Sequence, residues 1–324
     1  MRKNALHARN TLIKILSDGQ FHSGQSLGQH MSVSRSAVAN HVKYLSTLGL
    51  DIFSVKGRGY KLAQPLDMLD SNYLKENITA LAPEHIQVMS IIGSTNDEIK
   101  SQLATLPKGY TCFAEAQTKG RGRRGKTWVS PFGASLYMSI AWHFSGGYQS
   151  IAGLSLVVGL ALKKALDELG IEGTQLKWPN DLYHSNKKLA GILVEVEGQV
   201  GSDAQAVIGL GLNIDLPAKL EGIDQAYIDL QNISSEKINR NKLAAHVTNS
   251  IHAALAQFET AGLAPFIEDW LAADLFLNQT VKLISGRHQV VGINKGINES
   301  GAILLEQDGK ITAHHGGEIS VRAC

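Results

Sequence analysis

The charge of the chain is divided unevenly, and this asymmetry constrains its organisation more than any other feature. Of the 31 Lys and Arg residues, nine lie in residues 1–64, together with only two of the 29 Asp and Glu residues. That segment therefore has a formal charge of +7 and the remainder −5. A chain of 324 residues is long enough for two or three domains. A small basic domain on an acidic body indicates a nucleic-acid-binding module joined to another activity.

Hydrophobic periodicity in the basic segment predicts a helix-turn-helix. Val38, Val42 and Leu45 recur at the spacing of one buried helix face, and Ser34 precedes them as an N-cap. The second helix of such a motif enters the major groove with its N-terminus first. With the basic turn of the following hairpin included, the predicted DNA-binding residues are Ser34, Arg35, Ser36, Asn40, His41, Lys43, Lys56 and Arg58.

That hairpin is predicted from the stretch "DIFSVKGRGYKL", in which apolar residues alternate on both sides of a Gly-rich basic turn. Three helices and a hairpin form a winged helix, and Gln64-Pro65 follows as a linker. A winged helix used for protein contacts is the alternative, and the charge of +7 favours DNA.

The stretch "GRGRRGKT", residues 120–127, fits the letters of a phosphate-binding P-loop. A P-loop must run directly into a helix, whose N-terminus contributes to phosphate binding. Here Pro131 and Gly133 predict a turn, and a strand-like segment follows. The match at Lys126-Thr127 is therefore attributed to chance. We expect a glycine-rich loop whose arginines bind an anionic ligand, with an RNA-contacting loop as the alternative.

Two further stretches concentrate polar residues. In "IIGSTNDEIK", Thr95 and Glu98 have the spacing of a helix-capping box, and Ser94 to Asn96 alternatively present polar groups to a small ligand. In "KWPNDLYHSNKKLAGILVEVEG", alternation puts Lys188 on one strand face with Ala190, Ile192, Val194 and Val196. A lysine on an apolar face requires a partner for its charge unless it reaches water. We favour a lysine directed at an anionic ligand.

The motifs "STN", "AEAQTKGRGRRGKTW", "SPFGASLYMS", "KWPND", "KLAGILVE" and "GGEIS" occur in this order. This series closely resembles the biotin–protein ligases, in the bacterial bifunctional form that also represses the biotin operon. The resemblance implies an α+β multi-domain fold. Its parts are an N-terminal winged helix-turn-helix at residues 1–64, a central α/β ligase domain with a mixed sheet at 65–274, and a C-terminal SH3-like β-barrel at 275–324.

The resemblance also implies the chemistry. The family joins biotin to ATP, supplied with Mg²⁺, and forms biotinyl-5′-AMP. It then transfers biotin to a lysine of the biotin carboxyl carrier protein of acetyl-CoA carboxylase. The adenylate-bound homodimer binds biotin operator DNA, and we expect residues 121–127, 142–149 and 197–204 to be the loops that the ligand orders.

Site residues are carried over position by position. The catalytic residues implied are Lys188, Arg123, Lys177 and Asp181. Those implied to bind biotin are Ser94, Thr95, Asn96, Gln117, Arg121, Gly122, Arg123 and Lys188. Those implied on the ATP and adenylate side are Arg121, Arg123, Arg124, Lys126, Asn180, Tyr227 and Arg322. Lys126 replaces the usual arginine, and Tyr227 is assigned the place of an expected aromatic residue.

Several alternatives stay open from the sequence. They are a catalytically silent biotin-sensing repressor, a lipoate ligase and a P-loop ATPase regulator. Cys112 and Cys324 lie far apart and indicate neither a disulfide framework nor a metal site. This cysteine usage makes a reducing cytoplasm the expected location. The longest apolar run, residues 151–162, is shorter than a membrane span, so we expect no membrane contact.

Overall fold

A computed structural model describes residues 2–197, 203–218 and 220–324. The helices, in chain order, are α1 (Arg2–Leu16), α2 (Gly24–Met31), α3 (Arg35–Thr47), α4 (Ser71–Asn77), α5 (Thr95–Lys100), α6 (Leu154–Glu168), α7 (Arg240–Ala261) and α8 (Ile267–Ala273). The strands are β1 (Ile52–Val55), β2 (Gly59–Leu62), β3 (Ile86–Ile92), β4 (Thr111–Gln117), β5 (Ser135–Phe144), β6 (Thr174–Lys177), β7 (Asp181–His184), β8 (Lys187–Glu197), β9 (Ala204–Asn213), β10 (Thr280–Ser285), β11 (His288–Ile297), β12 (Ile303–Gln307), β13 (Lys310–His314) and β14 (Ser320–Ala323).

The N-terminal segment forms the predicted winged helix. Ser34 caps α3, because its side-chain oxygen accepts a hydrogen bond from the Ala37 N–H at 3.2 Å. Val38, Val42 and Leu45 are buried, as their spacing predicts. Strands β1 and β2 pair antiparallel as the wing. The helix-turn-helix and the wing are thus confirmed.

The core of the winged helix is completed by the central domain. Phe132 is buried in it together with Ile91 and Ala116 from β3 and β4. The Phe132 N–H also donates to the Leu48 carbonyl at 2.7 Å, just beyond the end of α3. The winged helix and the central domain therefore share apolar packing, so they are held together more tightly than by a flexible linker alone.

The central domain is a seven-stranded mixed sheet in the order β3-β4-β5-β9-β8-β7-β6. Strands β3 and β4 are parallel, and the other pairs are antiparallel. Helices α6 and α7 pack on one face in the main core. Helix α5 packs on the other face, where Ile99 meets Cys112, Ala141 and Val207. The α5 face carries the cleft described below.

The C-terminal segment forms a five-stranded antiparallel sheet in the order β13-β12-β11-β10-β14. The sequence predicts four short strands here, at 281–284, 290–293, 302–305 and 319–322. All four are present, and β13 is an additional strand. Residues 275–324 are all described, and no hydrogen-bonded ladder joins β13 to β14 there. The expected barrel is therefore an open, strongly paired sheet. No helix in the described ranges is long and apolar enough to cross a bilayer.

Candidate active site

A cleft of about 1120 Å³, which includes its solvent-open mouth, lies on the α5 face of the sheet next to β14. Its residues come from β3–α5, from the loop of residues 120–127, here called the arginine loop, from β6–β8 and β9, and from the C-terminal sheet. The sequence-predicted site residues that line it are Ser94, Thr95, Asn96, Gln117, Arg121, Gly122, Arg123, Arg124, Lys126, Lys177, Asn180, Asp181, Lys188 and Arg322.

Glycines form the floor of this cleft. A Cβ atom on Gly209 would overlap the Asn96 side chain, and one on Gly211 would overlap the Trp128 ring. On the neighbouring strand, a Cβ on Gly191 would lie 3.0 Å from the same ring. Glycine inside a strand commonly marks such a close approach. Any larger residue would displace the side chains that shape the cleft.

One end of the cleft, here called the polar corner, consists of Ser94, Thr95, Asn96, Gln117 and Ser139. All of them except Gln117 are almost completely buried. The expected capping box is not formed at Thr95, because Ser94 is the N-cap of α5 and accepts from the Asp97 N–H. Thr95 instead donates its backbone N–H to Gln117 Oε1 at 2.9 Å.

Ser139 and Asn96 form the deepest part of the polar corner. Ser139 Oγ lies 2.6 Å from Asn96 Oδ1 and 2.7 Å from Thr95 Oγ1. The Asn96 amide donates to Glu195 Oε2 at 2.8 Å. Because buried polar groups are costly without partners, this network fixes the side chains that line this end of the cleft.

Arg121 connects the arginine loop to the same network. Its guanidinium donates to the Asp97 carboxylate, and to Glu195 at 2.7 Å. The hydrogen bond to Asp97, and to a smaller extent the one to Glu195, raises the pKa of Arg121. Two carboxylates thus share one guanidinium, so Arg121 anchors its loop to the sheet.

The opposite end, here called the cationic end, consists of Arg123, Lys177, Lys188 and Arg322. The expected position of Lys188 on the Ala190 and Ile192 face is wrong. In the β7–β8 pairing, Tyr183 opposes Lys188 while Leu182 opposes Ala190, so a bulge inserts an extra residue. The bulge turns Lys188 into the cleft beside Gly191, and its ammonium pairs with Asp181 at 2.8 Å.

Lys177 is the most perturbed cation of this end. Burial, reinforced by the charge of Arg322, lowers the pKa of Lys177 to about 8. Its ammonium meets the Tyr183 hydroxyl at 3.1 Å, and burial raises the pKa of that phenol to about 12. A buried ammonium with a neutral partner favours the arrival of an anion.

Arg123 bridges the arginine loop and the C-terminal sheet. It donates to Asn180 Oδ1 at 2.9 Å and to the carbonyl of Gly317. Burial lowers the pKa of Arg123. Since these acceptors are neutral, its positive charge remains available to an anionic ligand.

The rest of the arginine loop excludes the P-loop interpretation. Residues Arg123–Gly125 form a short 3₁₀ turn, and the chain continues toward β5 without entering an α-helix. Arg124 adopts a positive φ of 58°, and Lys126 forms an exposed ion pair with Asp224 at 3.2 Å.

Of the other loops expected to respond to ligand, residues 198–202 lie outside the described part of the chain.

An aromatic residue does contribute to the cleft, but it is Trp128. Its ring packs over Gly211, and the Lys188 ammonium lies 5.4 Å from the ring centre. Tyr227 is not among the residues lining the cleft; its backbone bridges to that of Lys188, and Gln225 lines the cleft instead. The Gly209-x-Gly211 alternation was the available sequence signal for a ring stacked on the sheet.

On the winged helix, the predicted DNA-binding residues lie along α3 and the wing. All of them are exposed except His41, which is half-buried. Burial and the nearby Arg9 lower the pKa of His41. The Arg58 guanidinium, in the turn between β1 and β2, stacks 4.1 Å from the Phe21 ring centre.

Known proteins share these features over the whole chain. Residues 8–61 match an HTH domain, residues 88–213 the biotin/lipoate A/B protein ligase family, and residues 276–322 the biotin protein ligase C terminal domain. The bifunctional ligase/repressor BirA of Salmonella typhimurium strain LT2 is 43% identical over 97% of each chain. The chain belongs to the BirA family of bifunctional ligase/repressors. Another BirA protein, from Escherichia coli K12, is 43% identical over 96% of each chain.

The BirA-family assignment agrees with solved structures. A biotin protein ligase from Aquifex aeolicus, solved in complex with biotin and ATP, superposes with a TM-score of 0.66. It is 28% identical and covers 74% of this chain and 99% of its own. The resemblance inferred from the sequence motifs is therefore confirmed, and lipoate ligation and a P-loop ATPase are set aside.

Proposed function

We propose that this chain adenylates biotin with ATP in the described cleft, transfers the biotin to a carrier-protein lysine, and represses transcription in its adenylate-bound form. The observation that carries the proposal is the division of one cleft into a neutral polar corner and a cationic end. Biotinyl-5′-AMP has the matching division, with a neutral ureido ring at one end and a phosphate that joins the valeryl carboxyl group to the adenosine.

In the first step the biotin carboxylate attacks the α-phosphorus of ATP, and pyrophosphate leaves. Two anions must approach each other, so positive charge has to be in position before they react. Lys188 and Arg123 would stabilise the phosphate as its charge develops, and Lys177 would stabilise the departing pyrophosphate. Arg124, Lys126 and Arg322 are exposed at the mouth and would neutralise outer phosphate oxygens.

Mg²⁺ would enter with the ATP phosphates. Mg²⁺ commonly binds one or two carboxylates together with substrate phosphates. Asp181 is the carboxylate nearest the cationic end, and across the described ranges no group of three or more His, Cys, Asp and Glu side chains comes together. The protein thus supplies at most part of the coordination, and ATP the rest.

In the second step the amine of the carrier lysine attacks the biotinyl carbonyl, and AMP leaves. An ammonium cannot attack, so a base must take its proton. Asp181 is the candidate, because its carboxylate lines the cleft 2.8 Å from the Lys188 ammonium. The carrier we propose is the biotin carboxyl carrier protein of acetyl-CoA carboxylase, in the cytoplasm.

The DNA-binding activity would depend on the same ligand. We propose that biotinyl-5′-AMP orders the arginine loop and its neighbours, that two chains then associate, and that the dimer binds two operator half-sites. A non-hydrolysable adenylate analogue should therefore increase the dimer fraction in sedimentation velocity experiments. Equal monomer fractions with and without the analogue would contradict this part.

The experiment that tests the whole proposal is incubation with biotin, Mg-ATP and a carrier domain. The expected product is a carrier whose mass has increased by one biotinyl group. Binding to biotin-operator DNA is measured in parallel, with and without biotin and ATP. Ligand-dependent DNA binding without carrier modification would identify a catalytically silent sensor instead.

A further inference from the structure

We infer that Glu195 is a positioning residue for biotin, through the single carboxylate that it shares between the Asn96 amide and Arg121. The inference rests on the proposed function, and it concerns a residue that none of the sequence motifs assigned to the site. Glu195 lies near the end of β8, within reach of both the polar corner and the arginine loop.

The first step in the argument is the orientation of Asn96. Its amide nitrogen faces the carbonyl of Leu193 and a carboxylate oxygen of Glu195, at 3.4 and 2.8 Å. Both groups only accept hydrogen bonds, so the NH₂ must point toward them. The Asn96 carbonyl oxygen is thereby turned toward Ser139.

The second step follows from the single proton of a hydroxyl group. Ser139 Oγ contacts both Asn96 Oδ1 and Thr95 Oγ1. Asn96 Oδ1 has no proton, so Ser139 donates to it. Thr95 Oγ1 lies 2.7 Å from Ser139 Oγ and 3.2 Å from Gln117 Oε1, and the shorter contact takes the Thr95 proton. Thr95 Oγ1 can then still accept a hydrogen bond from a group in the cleft. Glu195 thus sets the direction of a hydrogen-bond chain that ends at the ligand, where an acceptor suits the N–H groups of the biotin ureido ring.

The third step concerns the loop. Both carboxylate oxygens of Glu195 also accept from the Arg121 guanidinium, at 2.7 and 2.9 Å. Asp97 also pairs with Arg121, so Glu195 is one of two carboxylates that hold the loop against the sheet, and the loop keeps one of them when Glu195 is replaced. Charge-assisted bonds of this kind are about twice as strong as neutral ones. The Glu195 carboxylate therefore both orients the Asn96 amide in the polar corner and helps to hold the arginine loop beside it.

The sequence offers a matched control two residues further along the same strand. Glu197 is also on β8 and also forms an ion pair, with Lys100 at 2.6 Å. Its pair is exposed and does not line the cleft. Glu195→Gln and Glu197→Gln each remove one carboxylate charge from a paired glutamate, so a general effect of charge on β8 would appear in both variants.

The test is biotin-dependent exchange of pyrophosphate with ATP by the full chain, with KM measured separately for biotin and ATP. For Glu195→Gln we expect the biotin KM to rise about tenfold or more, the scale of a lost charge-assisted hydrogen bond. We expect kcat at saturating biotin, the ATP KM and the Glu197→Gln variant all to stay within about threefold of wild type.

Two results would overturn the inference. One is a biotin KM within about twofold of wild type; the other is an equal rise in the KM of ATP, as general loosening would produce. If Glu195→Gln does not fold, Ser139→Ala interrupts the same chain and must reproduce the selective rise in biotin KM. Absence of exchange in wild type would instead refute the proposed function.

Discussion

The two ends of the cleft differ in what satisfies their polar groups. At the polar corner, protein partners surround each buried side chain, and the distances between hydrogen-bonded side-chain oxygens are 2.6 to 3.2 Å. At the cationic end, four positive groups meet one carboxylate, Asp181, and otherwise neutral acceptors. The polar corner is complete before ligand arrives, whereas the cationic end is left with excess positive charge.

This difference indicates how the cleft divides recognition from catalysis. A preformed hydrogen-bond network selects a ligand by shape and by the positions of its donors. Excess positive charge adds little to the binding energy of a neutral ring. It does stabilise the negative charge that concentrates during adenylate formation. We therefore expect substitutions at the polar corner to change the biotin KM, and substitutions at the cationic end to change turnover or ATP use.

The largest effect is expected for Lys188→Ala at the cationic end. Removing a charge that stabilises the transition state should lower kcat for biotinyl-5′-AMP formation about 100-fold to 1000-fold. Lys187→Ala provides the matched control, because this neighbouring lysine is exposed. Single-turnover adenylate formation is the measurement. A loss below about tenfold would remove Lys188 from the chemistry and weaken the contrast between the two ends.

The next effect concerns pH and Lys177. With a pKa of about 8 in the free enzyme, this side chain is charged below that pH and neutral above it. The kcat/KM for ATP should therefore fall about tenfold per pH unit once the pH exceeds that value. Lys177→Arg keeps its charge and should abolish the decline.

The control for this prediction is Lys164→Arg, which alters an exposed lysine paired with Asp269. It should leave the pH dependence unchanged. The affinity for biotin without ATP should also be constant across the same pH range, because Lys177 belongs to the other end. A decline that persists in Lys177→Arg would assign the titration to a different group.

A smaller effect is expected at the polar corner. In Gly209→Ala the new methyl group overlaps Asn96 and displaces its amide. The biotin KM should rise about tenfold, the scale of one disrupted polar contact, with little change in the KM of ATP. In an Asn96→Ala background the same substitution has no amide to displace. Equal effects in both backgrounds would mean that the methyl group acts elsewhere.

The smallest effect is expected for Lys126→Arg, at the mouth of the cleft. The Lys126 ion pair with Asp224 is exposed on both sides, and such pairs contribute about 0 to 1 kcal/mol. The dissociation rate of biotinyl-5′-AMP should change by less than about threefold. A larger slowing would show that the planar guanidinium binds phosphate in two places at once, and would extend the cationic end to this residue.

The parts of the molecule that sequence reasoning predicted correctly are those set by local chemistry. The winged helix follows from the caps and the helical spacing of Val38, Val42 and Leu45, all within one segment. Rejection of the P-loop likewise depended on the residues just after it. Strand β13 was missed because its short, half-exposed sequence "KITAH" has little apolar signal.

The parts that were missed depend on distant contacts. The orientation of Lys188 is set by a bulge against β7, which alternation within β8 cannot reveal. Trp128 becomes part of the cleft only because glycines on two other strands make room for its ring. Glu195 acquires its partners from α5 and from the arginine loop, 99 and 74 residues away in sequence. Pattern within a segment carries none of this information.

The burial of Phe132 against the winged helix has a consequence for how such proteins are shortened or recombined. A ligase lacking residues 1–64 would expose this ring together with Ile91 and Ala116, and the new apolar surface would promote aggregation. Grafting a foreign DNA-binding head would meet the same obstacle. The winged helix therefore cannot be removed as an independent domain. A truncated ligase would need polar residues at these three positions to stay soluble.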